Sequence, residues 1–194
     1  MGIYTSAYLK QLSRNNSANL QKGLLFESIS PKDHYDIFLS HSFLDKLEVE
    51  GLYLELVALG FSVYVDWISD PETDRTNVNK ATSILIRQRM RVCKSLLLAV
   101  SINASHSKWM PWELGYMDAF TQKCAIIPVS RDNIPSQSFK GYEYLSLYPY
   151  IKKIFTRGDD RLFIIDNDTT YVIFDDWFSQ GILPFQQDIN ILNY

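Results

Sequence analysis

The sequence predicts an α/β protein built on a doubly wound parallel sheet. Short apolar runs of strand type, at residues 35–40, 61–67, 95–100 and 124–129, alternate with helix-patterned stretches. Such alternation implies right-handed crossovers into a parallel sheet. The runs are also short and nearly continuous in apolar character, as strands covered on both faces must be.

The elements follow in order. Residues 1–33 form a polar leader in which Tyr4, Tyr8, Leu9 and Leu12 recur at helical spacing. Residues 13–17 interrupt that helix, and Leu20, Leu24 and Leu25 restart it before Ser30-Pro31. Tyr35-Asp36-Ile37-Phe38-Leu39-Ser40 is the first strand. Residues 43–60 are helical, with Leu44, Leu47, Gly51, Leu54 and Ala58 on one stripe and Gly60 as the left-handed stop. In the second strand Phe61, Val63 and Val65 alternate with Ser62, Tyr64 and Asp66. Residues 68–77, with Pro71, form a loop. Val78, Ala81, Leu85 and Val92 mark the next helix, whose other face carries Arg87 and Arg91. The third strand leads through a loop at 101–107 into a helix opened by Pro111 and running to about Phe120.

After the fourth strand, residues 141–145 are expected to supply a fifth, followed by a short helix. Residues 162–174 read as a β-hairpin around a polar loop at 166–170, and the aromatic tail packs back on the body. The chain thus divides into a helical leader (1–33), an α/β domain of about five strands (34–150) and a C-terminal extension (151–194).

Composition excludes several classes. The chain has 194 residues, 19 basic against 22 acidic, and a net charge of −3. That balance lacks the basic surface a general nucleic-acid binder needs. No apolar run approaches the roughly 18–20 residues of a membrane span, and no signal peptide opens the chain, so a cytoplasmic location is expected. The weak N-terminal Met1-Gly2…Ser6 pattern is set aside as a chance match to a myristoylation signal. Cys93 and Cys124 stand apart without a Cys/His cluster, so both are expected reduced and buried, with no zinc site. There is no GxGxxG, no Walker loop, no Gly-x-Ser-x-Gly elbow and no acidic pair directly after the first strand.

Ligands of open parallel sheets bind beyond the strands' carboxyl ends, where strand order reverses. For a strand order of 2-1-3-4-5, that place gathers Ser40, His41, Ser42 and Phe43 after the first strand. Asp66 and Trp67 follow the second, and Ser101 and Asn103 the third. Beside them stands the segment 107–115, with Trp109, Trp112 and Glu113. A carboxylate beside aromatic rings suits a cationic or ribose-bearing ligand. The same residues also have a structural reading: a glutamate complementing the helix dipole and tryptophans in the core. His41 reads as a site-lining or a structural residue.

These motifs resemble the TIR domain family. Residues 35–42 are similar to its opening (Y/H)-D-(V/I)-F-(L/I)-S strand, residues 60–66 to its second strand, and Ser107-Lys108-Trp109 with Glu113-Leu114 to the S-K-W-x-x-x-E-L segment of its catalytic members. The resemblance covers about residues 34–150, and with leader and extension the whole chain looks most like the stand-alone TIR proteins of bacterial Thoeris anti-phage systems. It implies a flavodoxin-like fold and an enzyme that cleaves NAD⁺ at the nicotinamide–ribose bond. NAD⁺ enters as substrate, with no separate cofactor or metal. Glu113 would be catalytic. Trp109 would line the nicotinamide-ribose site, and Ser40, His41, Ser42, Phe43, Asp66, Trp67 and Ser101 would bind substrate. The product would be a cyclic ADP-ribose signal that activates a separate NAD-depleting effector. Self-association is expected, because enzymatic TIR sites are often shared between copies. A non-enzymatic adaptor acting by assembly is the alternative. Residues 68–80, which correspond to the family's often glycine-rich BB loop, contain no glycine.

Overall fold

The computed structural model describes residues 2–16, 33–70, 79–131, 139–141, 143–156 and 159–186. In chain order these form β1 (Tyr4–Thr5), α1 (Ser6–Asn15), β2 (Tyr35–Ser40), α2 (Lys46–Ala58), β3 (Val63–Tyr64), α3 (Asp66–Ser69), α4 (Lys80–Arg91) and β4 (Cys93–Val100). There follow α5 (Trp109–Thr121), β5 (Cys124–Ser130), β6 (Tyr150–Thr156), β7 (Asp159–Asn167), β8 (Thr170–Ile173), α6 (Phe174–Gln180) and β9 (Phe185–Gln186).

Among the described residues the strands make one nine-stranded sheet in the order β3-β2-β4-β5-β6-β7-β8-β9, with β1 paired to β5 beside that path. The run β3-β2-β4-β5-β6 is parallel throughout, which is the expected 2-1-3-4-5 order. Alternation along β2 explains why both faces are covered. Ile37 and Leu39 join Val49, Leu52 and Leu56 of α2 and Phe174 and Trp177 of α6 in one core. Phe38 points the other way, to Ile86 and Met90 of α4 and Met110, Leu114 and Met117 of α5.

Four local expectations are corrected. The second strand is only Val63–Tyr64; Asp66 and Trp67 lie in the single turn α3. Among the described residues this strand pairs with β2 alone, and the helical turn brings Val65 and Ile68 into the core together. The buried stripe of α4 is Thr82, Ile86 and Met90, while Ala81 is exposed and Leu85 half-buried. Asn79 sets this register by accepting from the Thr82 amide at 2.9 Å. The fifth strand begins at Tyr150, after a 3-10 turn over Glu143–Leu147, the reverse of the expected order. Glu143 has φ of +50°, which interrupts an extended strand there. Finally, Tyr4 belongs to β1 and not to the leader helix, which Thr5 caps by accepting from the Tyr8 amide at 3.2 Å. The expected restart at Leu20–Leu25, the helix position Val78 and the loop over 71–77 lie outside the described residues.

The extension continues the sheet. β6 and β7 pair antiparallel, then β7 and β8 form the expected hairpin. Asn167 Oδ1 accepts from both the amide and the hydroxyl of Thr169 at 3.1 Å and closes its turn. α6 returns Phe174 and Phe178 against Phe61, with ring centroids 5.0 and 5.5 Å apart. Gly60, at φ +93°, ends α2 as expected.

Helix α1 crosses α2 at Gly51, where a Cβ would stand 2.3 Å from the Leu9 carbonyl oxygen. Polar contacts surround that crossing. Ser6 donates to Glu48 at 2.7 Å, Ser13 to Glu50 at 2.5 Å and Tyr8 to Glu55 at 2.8 Å. Lys153 of β6 binds Glu55 and, at 2.8 Å, Asp160.

Asp36, in the middle of the opening motif, is a staple at the other end of the sheet. It accepts from the Ser62 amide and hydroxyl at 2.9 and 2.8 Å, and from Lys94 at 2.8 Å, which fastens β2 to the start of the β3 segment and to β4. Burial alone would raise its carboxyl, but the bonds from Lys94 and Ser62 outweigh that and hold it below the ordinary carboxylate range.

Two tests follow from this packing. Gly51→Ala should cost about 1–3 kcal/mol in urea unfolding, because the clash is with backbone and cannot be relieved by a rotamer. The depressed Asp36 carboxyl contributes stability that is complete above its unfolded value of about 3.9 and lost as pH falls through the folded value. Asp36→Asn should therefore lower stability at neutral pH and flatten its decline below about pH 4, read from urea midpoints across pH.

Candidate active site

The carboxyl ends of β2 and β4 meet the start of α5 at the expected switch point. Ser40 ends β2 with no exposure, and its hydroxyl donates to Glu113 Oε2 at 2.5 Å. Glu113 is itself fully enclosed. Because α5 begins at Trp109, Glu113 falls in the second turn, on the inward face with Met110, Leu114 and Met117. The dipole-complementing reading therefore does not describe it: this carboxylate points into the molecule.

His41 is also buried. Its Nδ1 lies 2.9 Å from the Leu39 carbonyl, which can only accept, so Nδ1 carries a proton. Nε2 accepts from the Trp67 indole at 3.2 Å and stands 3.4 Å from Asp66 Oδ1. The short turn α3 thus brings both Asp66 and Trp67 onto His41. Lys46 lies over the Trp67 ring, 5.0 Å from its centroid.

A third tie involves a residue that the sequence reading missed. Asp45 is buried and accepts from Ser101 at 2.6 Å and from the Asn103 side chain at 2.7 Å. Ser101 in turn accepts from the Asn103 amide at 2.8 Å. The loops after β2 and β4 are locked together through one carboxylate. Its signal was an acidic residue just after the first strand, with Ser101 and Asn103 available to pair with it.

Two expected residues lie differently. Ser42 is buried, and its hydroxyl accepts from the Leu44 amide at 3.4 Å, capping the 3-10 turn Phe43–Asp45. Phe43 points outward at 64% exposure and is not gathered into the cluster. Trp109 stacks edge-on against Trp112 with centroids 5.5 Å apart. The two line a groove of about 640 Å³ with Asn79, Lys80, Ser83, Arg87 and Lys108.

Both cysteines are free and buried. Burial pushes the Cys124 thiol up to about 12, and Cys93 further. Among the described residues no group of three or more His, Cys, Asp or Glu is arranged to hold a metal ion, and no helix is long and apolar enough to cross a membrane.

No protein-family model matches the chain. It is 44% identical, over 87% of its length and 88% of the relative's, to a Bacillus cereus (strain MSX-D12) protein named "Probable 3' cyclic ADP-D-ribose synthase ThsB'". It is 28% identical, over 50% of its length and 26% of the relative's, to a Cytobacillus dafuensis protein whose name assigns it provisionally as cyclic ADP-D-ribose synthase TIR2.

Loss of the Ser40 hydroxyl would leave the buried Glu113 without one of its donors. Ser40→Ala should lower stability by about 1–3 kcal/mol in equilibrium unfolding. An unchanged midpoint would show that Glu113 does not depend on this bond.

Proposed function

This chain belongs to the TIR-domain family in its Thoeris branch, and on that premise we propose that it cleaves NAD⁺ at the nicotinamide–ribose bond and closes the remainder into a cyclic ADP-ribose signal. The observation that carries the reading is the Ser40–Glu113 pair, a buried carboxylate held at 2.5 Å on the helix that Trp109 and Trp112 open.

The chemistry suits so sparse a site. Nicotinamide leaves NAD⁺ as a neutral base, so its departure needs no strong general acid. As the C1–N bond breaks, its electron pair passes to the ring nitrogen and the ribose takes on oxocarbenium character. Glu113 stabilises that positive charge, and does so more strongly for being shielded from water. Ser40 fixes the carboxylate in one orientation. Trp109, one helical turn earlier on α5, supplies an aromatic wall for the leaving ring. If water is excluded, a nucleophile on the adenosine half of the same molecule captures C1. Its lone pair forms the new bond, and a hydroxyl nucleophile releases its proton.

His41, Ser42, Asp66, Trp67 and Ser101 form the rim that shapes the substrate's ribose end, and Phe43 offers an apolar surface beside it. The cyclic product acts in the cytoplasm as a diffusible signal to a separate NAD-depleting effector. Self-association completes the site.

The test is chromatography of NAD⁺ incubated with the protein, with and without lysate from infected cells. Free nicotinamide with an ADP-ribose isomer is the expected result. Glu113→Gln should reduce product at least about a hundredfold while keeping the native circular-dichroism spectrum, since its amide oxygen still accepts from Ser40. Product at the wild-type rate in that variant would overturn the assignment.

A further inference from the structure

The groove outside Trp109 carries a charge pattern that the reaction centre itself does not explain. The chain as a whole is acidic, with 22 acidic against 19 basic residues. Yet three of the described residues lining this groove are cations, Lys80, Arg87 and Lys108, and none of the described lining residues is acidic. None of the three cations has an ion pair with another described residue. Elsewhere the fold does neutralise such groups. On the same helix, Arg89 is held by both oxygens of Asp70, at 2.8 and 2.6 Å. Arg87 is anchored only by its Nε, which donates to the Ser83 carbonyl at 3.3 Å. No described partner holds its two terminal nitrogens, so the guanidinium keeps a planar fork suited to an anion where it lines the groove. Like charges brought together are destabilising unless counter-charges offset them, and none does so among the described residues, so the arrangement is better explained by an anionic occupant than by folding.

The walls narrow the choice of occupant. Trp109 and Trp112 offer flat aromatic surface against the cations, and the volume of about 640 Å³ falls in the range of small-molecule sites. An anion that also carries a planar ring fits both features. We propose that this groove holds the pyrophosphate and adenosine half of the dinucleotide, with Arg87, Lys80 and Lys108 on the phosphates and Trp112 against the base. The inference rests on the NAD⁺ reading above and assigns residues that reading leaves without a role. Arg87 gives two parallel hydrogen bonds to one phosphate, and the lysines add charge from the groove's ends. Trp109 links the two in sequence: it lines the groove and stands one helical turn before Glu113 on α5.

The test separates the groove from the reaction. ADP and adenosine are titrated by calorimetry into Glu113→Gln protein, which binds without turning over substrate. ADP should bind with an affinity that falls as salt rises, and adenosine at least about tenfold more weakly, because it lacks the charges. Arg87→Ala combined with Lys80→Ala should weaken ADP binding by about tenfold or more, the loss of charge-assisted contacts. These exposed or half-exposed side chains on α4 can be removed without unfolding the protein, which melting curves would check. In the otherwise wild-type enzyme the same pair of changes should raise KM for NAD⁺ and leave kcat within about twofold, as expected when binding is lost equally from ground and transition states. Arg14→Ala, on α1, should change neither.

ADP binding unchanged in the double variant would overturn the proposal. So would an unchanged KM with NAD⁺ still cleaved, in which case the reaction stands and the groove assignment falls. If ADP binding is lost in the variant but NAD⁺ is never cleaved, the groove assignment stands and the reaction reading falls.

Discussion

A carboxylate buried beneath a helix is the constraint around which this structure is arranged. Removing Glu113 from water is costly unless hydrogen bonds replace its hydration, and the Ser40 hydroxyl at 2.5 Å is one such replacement. That bond joins the end of β2 to the second turn of α5. It therefore fixes the height of α5 over the sheet and the place where Trp109 emerges. The remaining ties at the same edge act in parallel. Asp45 binds the loop after β4, and His41 gathers α3. Each is a short-range polar contact between elements far apart in sequence, so together they make a rigid rim from loops that would otherwise move independently.

The opposite face of the sheet is held by a different seam. There α1 lies so close to α2 that only a glycine fits at position 51. Glu48, Glu50 and Glu55 accept from residues of α1, and Lys153 bridges Glu55 to Asp160 at the start of β7. The leader and the extension are thus tied to the same helix. Strand β1, paired with the end of β5, carries this seam into the sheet itself. The described parts of the leader and the extension are thus built into the sheet and its covering layer.

Much of this was legible in the sequence. The parallel order, the helix stop at Gly60 and the hairpin around Asn167 followed from hydrophobic period and turn chemistry, which act locally. The opening motif was readable as a strand, but its aspartate was not readable as a staple, because its partners Ser62 and Lys94 lie 26 and 58 residues away. Misplaced elements had the same kind of cause. The fifth strand was sought in an apolar stretch that a left-handed Glu143 turns aside. The stripe of α4 slipped by one position because the Asn79 cap, and not the aliphatic spacing, sets its register. At the candidate site, proximity to strand ends pointed to Ser40 and His41, and the resemblance of the 107–114 segment pointed to Glu113. Asp45 escaped because its place just after the first strand gains meaning only from Ser101 and Asn103, 56 and 58 residues away.

The distribution of charge links the two faces. Carboxylates on the α1–α2 side are occupied by hydroxyls and lysines, while the cations beside Trp109 have no ion-pair partner among the described residues. A dinucleotide such as NAD⁺ is itself divided, positive at the nicotinamide and negative at the pyrophosphate. The order of groups here, the Glu113 carboxyl in the interior, Trp109 one helical turn before it, and Lys80, Arg87 and Lys108 along the groove, is the complement of that division. A substrate entering in the reverse direction would set phosphate against the carboxylate and a cation against the guanidinium, and both contacts would be repulsive. Electrostatics of this kind selects orientation more than affinity. It gives a physical reason for a protein of net negative charge to line the groove at Trp109 with cations that have no ion-pair partner among the described residues.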